Sequence, residues 1–456
     1  MRIEKDFLGE KVLPKDALYG IQTLRAKENF ALGYKPTHHG LLRALILVKK
    51  AAALTYRDLA SEEEEARLYQ AVASACDRLL AGEEADMFIL DALQGGAGTS
   101  THMNVNEVIA NLALRILGKE PGTYEVIHPL DTVNRGQSTN DVYPTALRIA
   151  AITLLRDLSG GCAQLQEALQ KKEQELEGVQ KLGRTELMDA VPVTLGAEFG
   201  AYAQAIARDR WRLYKIEERL RQINLGGTAV GLGSVAEEQR LRHRQYRFRV
   251  LETLRELTGM GLAAAEYPMD STQNADVFVE VSGLLKALSV NLMKIAGDLR
   301  LMNSGPRGGL REIKLAPLQM GSTIMPGKVN PVMAEMMIQC AIRVQANDYA
   351  ITAAASRGEL ELNAFLPLIA DALLESLSLL NRGVGLFRTK CIEPLQADIQ
   401  GCTAHLSASY AFATAWTPQL GYDTVSTLIA HGQDGPESLR KALEAKQQEQ
   451  LRSKGT

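Results

Sequence analysis

Two long apolar stripes constrain the fold of this chain more than any other feature of its sequence. Apolar residues advance by three or four positions through residues 147–169 and again through residues 277–299. Each stripe predicts a helix of about six turns whose apolar face needs a packing partner along its whole length. Residues 193–221 and 366–380 carry two more helical patterns. Because most of these lengths exceed the mean helix of about 12 residues, they indicate a bundle of long, near-parallel helices.

Composition narrows the class of protein. Aromatic residues make up only 5% of the 456 residues, and β-branched alternation is confined to short stretches, so the predicted fold class is all-α. By length alone the chain holds two or three domains. The formal net charge of −3 argues against a nucleic-acid partner. The N-terminus lacks the apolar core of a signal peptide, and no apolar run reaches the roughly 18 residues of a membrane span.

The cysteines and histidines offer no metal site. Five cysteines are scattered through the chain without CxxC spacing, which suits a reducing, cytoplasmic location. The seven histidines are dispersed as well, apart from the pair His38-His39. Neither HExxH nor a comparable ligand set is present, so we expect no zinc site.

Polar, glycine-rich connectors separate the helical patterns and provide places for chemistry. Domain boundaries near residues 135–145 and 388–395 would leave a central helix bundle. The connectors are residues 94–100, 134–141, 183–186 and 304–330.

Residues 321–330 form the most informative connector. Two glycines, a proline and a Ser-Thr pair disfavour a helix there, and the helical signal resumes only after Pro331. The segment resembles a phosphate-binding loop only superficially. Five residues rather than four separate its glycines, and Val329 follows Lys328 where that motif requires Ser or Thr.

The side chains of this connector suit a carboxylate. Ser322 and Thr323 provide hydroxyls, Lys328 a cation and Asn330 an amide. Together they could bind a carboxylate and place a serine able to act as an alkoxide beside it. A surface turn with an exposed lysine is the alternative, and these residues alone leave both interpretations open.

Two further segments combine hydroxyl groups with a predicted helix start. Ser138, Thr139 and Asn140 precede a long helical pattern, and their polar groups fit an N-cap. The same groups, together with the free N–H groups of a helix start, fit an anion site, and both interpretations can hold at once. Thr99 follows three glycines in four residues and likewise precedes a helical pattern.

Several motifs in order give the chain a resemblance to a known family. From its first residues to about residue 387 the chain resembles the aspartase/fumarase superfamily, and Ser138-Thr139-Asn140 resembles the aspartase branch. The matching motifs are residues 2–10, 19–23, 94–106, 137–144, 183–185, 224–231, 304–307 and 321–332.

The resemblance implies a fold, an assembly and a reaction. It implies three domains: a mostly helical domain (1–138), a central long-helix bundle (139–390) and a small, shortened helical domain (391–456). It implies a homotetramer in which three subunits contribute to each active site. The expected reaction is reversible deamination of L-aspartate, a small dicarboxylate, to fumarate and ammonia through an enediolate, with no organic cofactor.

The resemblance also implies roles for individual residues. Ser322 would be the general base, acting as an oxyanion on a mobile loop. Lys328 and Asn330 would hold one substrate carboxylate, and Asn140 and Thr185 would contact the amino group. The carboxylate that becomes the enediolate would be held by hydroxyl groups of Thr99, Ser138, Thr139 and Thr323.

Glu186 departs from the superfamily pattern, which usually has His or Gln after Gly-Arg-Thr. By the resemblance, Glu335 would lie near Glu186. One interpretation is that the two carboxyl groups share a proton, or that a Lys or Arg neutralises the pair. The other is that Glu186 binds the substrate ammonium. Residues 232–235 also differ from the usual Thr-Gly-Leu-Asn.

These departures bear on which substrate the protein binds more than on its fold or reaction class. They leave two alternative functions. One is a lyase acting on another N- or O-substituted succinate, including a fumarate hydratase. The other is a family member retained as a structural or binding protein. The presence of Ser322, Lys328 and Asn330 argues against this last alternative.

Overall fold

The computed structural model describes residues 1–233, 240–431 and 435–454, and most of these residues lie in helices. The helices are α1 (Ile21–Asn29), α2 (His39–Leu59), α3 (Glu63–Leu80), α4 (Thr99–Ile116), α5 (Thr139–Glu175), α6 (Leu195–Leu220), α7 (Arg240–Thr258), α8 (Pro268–Gln273), α9 (Asp276–Met302), α10 (Val332–Ala355), α11 (Leu366–Phe387), α12 (Ile399–Ala408), α13 (Thr417–Leu420), α14 (Tyr422–His431) and α15 (Pro436–Lys454).

The strands of the described residues are short and pair two by two. They are β1 (Arg2–Asp6), β2 (Gly9–Leu13), β3 (Gln180–Thr185), β4 (Met188–Thr194), β5 (Gln222–Ile223), β6 (Ala263–Ala264), β7 (Ile313–Lys314) and β8 (Gln396–Ala397). Each sheet has two strands, and only β5 and β6 are parallel. The predicted all-α class is confirmed.

The two apolar stripes become the longest helices. α5 covers the first stripe with 37 residues, and α9 covers the second with 27. Leu147, Leu165, Leu292 and Leu299 are buried on them, as the spacing predicts. The helices predicted over residues 193–221 and 366–380 are confirmed as α6 and α11.

The chain divides into two compact units, and each boundary between them falls inside a long helix. Unit 1 comprises residues 1–159, 211–287 and 342–381. Within it α2 packs along α3 and α7, and α3 packs against α4.

Unit 2 comprises residues 160–210, 288–341 and 382–456. It contains the β3–β4 hairpin, against which α12 packs, and the β7–β8 pair. Towards the C-terminus a small hydrophobic cluster forms its own core, made by Ala413, Leu420, Val425, Leu439 and Leu443. The three-domain division at residues 138/139 and 390/391 stays a prediction.

The connector expected at residues 183–186 is a strand and a turn instead. Gly183 and Thr185 lie in β3, which pairs antiparallel with β4. A Cβ on Gly183 would lie 2.6 Å from the carbonyl oxygen of Val191, so the close approach of the two strands requires glycine there. Within the described ranges, every helix is too short or too polar to cross a lipid bilayer.

Candidate active site

A capping box opens α5. The Oγ of Ser138 accepts a hydrogen bond from the N–H of Asn140 at 3.2 Å, and Oδ1 of Asp141 accepts one from the N–H of Ser138 at 2.9 Å. This reciprocal arrangement satisfies backbone donors that a helix start otherwise leaves without partners. The predicted N-cap is confirmed, and it fixes Ser138 and Thr139 at the positive end of a 37-residue helix.

Asp141 also binds the neighbouring segment 224–231. Its Oδ2 accepts hydrogen bonds from the N–H groups of Gly226 and Thr228, each at 3.0 Å. The carboxyl is fully buried, and burial raises its pKa to about 6 although three backbone N–H groups and Lys49 act in the opposite direction. The amide of Asn140 donates to the carbonyl of Ala229 at 2.8 Å, so one of its N–H groups is already bonded.

Lys49 lies beneath the turn that precedes α5. Its ammonium donates to Oδ1 of Asn134 at 2.8 Å and to Oε1 of Gln137 at 2.9 Å. Burial of the side chain lowers the pKa of Lys49 to about 7, while the nearby Asp141 raises it. These bonds anchor the turn that leads to Ser138.

The start of α4 is shaped by three consecutive residues with left-handed backbone. Gly96, Ala97 and Gly98 have φ values of +87°, +56° and +93°. A Cβ on Gly98 would lie 2.3 Å from the ring of Tyr143, so this position needs glycine for space as well as for conformation. The turn leaves Thr99 exposed as the first residue of α4.

The first turn of α4 contacts the first residue of α5. Nδ1 of His102 lies 2.8 Å from Oγ1 of Thr139, and the His102 ring is buried. The two helix starts that carry Thr99 and Thr139 therefore share a direct side-chain hydrogen bond.

In unit 2, Glu186 occupies a tight turn. The hairpin pairs Thr185 with Met188, so Glu186 and Leu187 are the two central residues of a two-residue loop. Their φ values of +53° and +66° match a type I′ turn, which favours Asn and Gly. Thr185 and Glu186 are both exposed.

A buried glutamate fixes the strand that leads to this turn. Glu312 is 0% exposed, and its carboxylate lies 2.7 Å from Arg184 and 2.9 Å from Lys181, both on β3. The backbone N–H of Asp398 donates to the carbonyl of Glu312 at 2.8 Å. Glu312 therefore joins the β3–β4 hairpin to the segment that enters the long connector.

The connector at residues 321–330 closes on itself, and the predicted absence of regular structure there is confirmed. The N–H of Gly321 donates to the carbonyl of Lys328 at 2.8 Å, and the amide of Asn330 donates to the carbonyl of Gly321 at 2.8 Å. A Cβ on Gly321 would lie 2.8 Å from that Lys328 carbonyl oxygen. α10 then begins at Val332, as expected.

Ser322 receives two backbone donors inside this loop. Its Oγ accepts hydrogen bonds from the N–H of Ile324 at 3.2 Å and the N–H of Met325 at 2.9 Å. Donors that point at an oxygen favour its charged form. These two N–H groups would stabilise negative charge on the Ser322 oxygen, and Lys328 is exposed in the same loop.

A cavity of about 1010 Å³ in unit 2, next to the loop at residues 321–330, is lined by several cationic side chains. Its lining includes Arg300, Lys314, Lys328, Asn330 and Glu335. The carboxylate of Glu335 lies 3.8 Å from the guanidinium of Arg300, so this glutamate has a cation beside it. A cavity with this balance of charge suits an anion.

Comparisons with known proteins agree on the family. A family model described as Lyase matches residues 9–346. An aspartate ammonia-lyase from Bacillus sp. is 45% identical over 442 residues, which cover 97% of this chain and 92% of that protein. The chain belongs to the aspartase/fumarase superfamily.

Solved structures of the superfamily have the same fold. Fumarate lyase:delta crystallin from Brucella melitensis, bound to cobalt, matches with a TM-score of 0.89 at 41% identity, covering 98% of both chains. Class II fumarase from Schistosoma mansoni matches with a TM-score of 0.89 at 30% identity, covering 95% of this chain and 92% of that one. In the part of the chain that the structure describes, no three His, Cys, Asp or Glu side chains form a set that could hold a metal ion.

The residues that the superfamily resemblance singles out fall in both units. Unit 1 brings together Ser138, Thr139 and Asn140 at the start of α5, and the His102 bond ties this start to that of α4. Thr99 also lies in unit 1, at the start of α4. Unit 2 contains the others, namely Thr185, Glu186, Ser322, Thr323, Lys328 and Asn330. Among the described residues, the side chains of five predicted site residues have no hydrogen bond or ion pair, namely Thr99, Thr185, Glu186, Thr323 and Lys328. Ser234 and Val235, two of the departures from the superfamily pattern, lie outside the described residues.

Sequence reasoning missed several residues that position the site. All but the half-buried Arg184 are buried polar residues, and a polar residue at a buried position of an apolar helix is the signal that could have revealed His102. The missed residues are Lys49, His102, Lys181, Arg184 and Glu312.

We expect Gly98→Ala to destabilise the protein more than Gly118→Ala. Both glycines have positive φ, at +93° and +72°, but only Gly98 has atoms within 4 Å of an added Cβ. The backbone conformation should cost about 1 kcal/mol in each variant, and the contact with Tyr143 should add about 1–3 kcal/mol to Gly98→Ala. Thermal unfolding midpoints measure the difference. Equal midpoints would contradict the tight contact.

Proposed function

We propose that this chain catalyses the reversible deamination of L-aspartate to fumarate and ammonia, as a carbon–nitrogen lyase. The proposal rests on the environment of Ser322. Its Oγ accepts hydrogen bonds from two backbone N–H groups, in a loop where Lys328 is also exposed. The family relationship to aspartate ammonia-lyases at 45% identity over nearly the whole chain supports the same reaction.

The first step would be proton removal by Ser322. The alkoxide takes a proton from the carbon next to the side-chain carboxylate of aspartate. A serine hydroxyl is a weak base unless its oxyanion is stabilised, and the N–H groups of Ile324 and Met325 supply that stabilisation from fixed positions. Closure of the loop onto substrate would exclude water and strengthen both bonds.

The second step would be loss of the amine. Proton removal leaves an enediolate whose extra charge rests on the side-chain carboxylate oxygens. Its electron pair then forms the carbon–carbon double bond while the bond to nitrogen breaks. Preorganised donors matter most where this charge develops. The donors proposed for it are the hydroxyls of Thr99, Ser138, Thr139 and Thr323.

The remaining site residues would hold the rest of the substrate. Lys328 and Asn330 would bind the other carboxylate, and both line the cationic cavity of unit 2. Asn140 and Thr185 would contact the amino group. Because one N–H of Asn140 and one N–H of Asn330 are bonded to backbone carbonyls, each amide is held in a fixed orientation.

Glu186 would bind the departing amine. Its carboxylate is exposed beside Thr185, with no hydrogen bond or ion pair among the described residues. Glu335 already has Arg300 within 3.8 Å. These observations favour a role at the amine over a proton shared between the two glutamates.

The active enzyme would be a homotetramer in the cytoplasm, with each site built from three subunits. Large apolar side chains are exposed on α6, α9 and α10, and an assembled bundle would cover them. They are Trp211, Tyr214, Val290, Ile342 and Tyr349. The five free cysteines fit a reducing location.

A fumarate assay tests the proposed reaction. We expect wild-type protein to release fumarate, seen by ultraviolet absorbance, from L-aspartate but not from malate. Ser322→Ala should lower kcat by about 10²–10⁴-fold with little change in KM, because it removes the base but no substrate contact. Activity with malate alone would favour a fumarate hydratase. No signal with either compound would favour another substituted succinate or a non-catalytic role.

Mixing two inactive variants tests the shared site. Thr99→Val and Ser322→Ala subunits, unfolded together and refolded, should regain about a quarter of wild-type activity if different subunits supply the two residues, because each residue is intact in half of the subunits. Size-exclusion chromatography of the wild type should give a tetramer. No recovered activity from correctly sized mixtures, or a monomeric wild type, would contradict the shared site.

Glu186→Gln tests the amine role. In the reverse reaction we expect the KM for ammonia to rise about tenfold or more, because a charge-assisted hydrogen bond is lost, while the KM for fumarate stays unchanged. Glu84→Gln is a matched control, since Glu84 also has left-handed backbone, with φ +54°, and lies on a different segment. An unchanged KM for ammonia would remove the amine role.

A further inference from the structure

His102 is a buried histidine in which one ring nitrogen has a hydrogen-bond partner among the described residues and the other has none. It lies in the first turn of α4 and is 1% exposed. Nδ1 lies 2.8 Å from Oγ1 of Thr139. Nε2 is buried and has no hydrogen-bond partner among the described residues.

The surroundings of the ring decide its charge. Burial lowers the pKa of His102 well below its usual value, and the nearby charge of Lys49 lowers it further. The imidazole is therefore neutral at physiological pH and carries a single N–H group.

The unpartnered nitrogen decides where that N–H group is. A proton on Nε2 would leave a buried donor without an acceptor, and orphaned N–H groups are rare in folded proteins. A proton on Nδ1 leaves only a bare lone pair on Nε2, and gives the N–H a partner in Oγ1 of Thr139. The tautomer with the proton on Nδ1 is therefore the favourable one, and His102 donates to Thr139.

This direction matters for what Thr139 can do. A hydroxyl that accepts a hydrogen bond from His102 keeps its own O–H free to donate elsewhere. With the opposite tautomer, the hydroxyl would donate to Nδ1 and would turn a lone pair towards the substrate. A lone pair repels a carboxylate, whereas an O–H donor stabilises it.

We propose that His102 is a positioning residue that orients the Thr139 hydroxyl as a donor to the substrate carboxylate that becomes the enediolate. The inference rests on the proposed function, because it assigns a direction to a hydroxyl that the proposed mechanism uses. His102 does not touch substrate. It acts through Thr139, and the effect is greatest when charge develops on the carboxylate.

Two variants of similar size separate donation from packing. His102→Asn can place an amide N–H where Nδ1 was, so we expect kcat within about threefold of wild type. His102→Leu fills similar space without a donor, so we expect kcat to fall about tenfold or more while KM for aspartate changes less. The substitution His102→Gln retains a polar side chain but carries its amide further out, so it should behave like His102→Leu. It keeps the test available if His102→Leu prevents folding.

A double-mutant cycle shows whether His102 acts through Thr139. In a Thr139→Val background the hydroxyl is gone, so His102→Leu should lower kcat by less than twofold further. Thermal unfolding midpoints of all variants report any loss of packing separately from the loss of kcat.

Three results would overturn the inference. One is that the wild type is active with aspartate but His102→Asn and His102→Leu have equal kcat values. Another is a His102→Leu effect in the Thr139→Val background as large as that in wild type. Both leave the proposed function intact. Wild-type protein that releases no fumarate from aspartate overturns the proposed function, and the inference falls with it.

Discussion

The hydrogen bonds of Asp141 hold the polar segments of unit 1 in place. One buried carboxylate caps α5 and also receives two N–H groups of the segment 224–231. Its pKa is raised on folding, so its contribution to stability is fully present below the ordinary carboxyl range and is lost as pH rises through about 6. At neutral pH Asp141 is ionised, so the folded protein is less stable than it is at a pH where Asp141 is protonated. Its value to the molecule is geometric, because no neutral side chain of this size accepts three donors as well.

Much of the fold follows from local periodicity. The stripes that become α5 and α9 are long enough for their spacing to exclude strands, and glycine-rich or proline-containing segments mark where helices stop. The α5 cap could be predicted because Ser138 and Asp141 stand three positions apart, which is a local pattern. The chemistry of the loop at residues 321–330 was only partly readable. Its residue types indicated a carboxylate site, and the motif resemblance supplied the roles.

Other features depend on contacts between distant segments, which a single sequence does not reveal. Nothing near Glu312 indicates that Lys181 and Arg184 lie beside it, since about 130 positions separate them in the chain. The same is true of His102 and Thr139. The β3–β4 hairpin was missed because its turn residues, Glu186 and Leu187, are poor formers of such turns. Their left-handed backbone is imposed by the pairing of the strands on either side.

The Glu186-Leu187 turn of this hairpin links the thermal stability of the protein to its chemistry. Two non-glycine residues with left-handed backbone cost roughly 1–2 kcal/mol each relative to a relaxed conformation. A stability screen would therefore select Asn-Gly in place of Glu186-Leu187. The same exchange would delete an exposed carboxylate placed beside Thr185. On the amine role proposed for Glu186, thermal tolerance and choice of amine would be selected in opposite directions at this position, and variants selected by heat alone would differ in substrate preference.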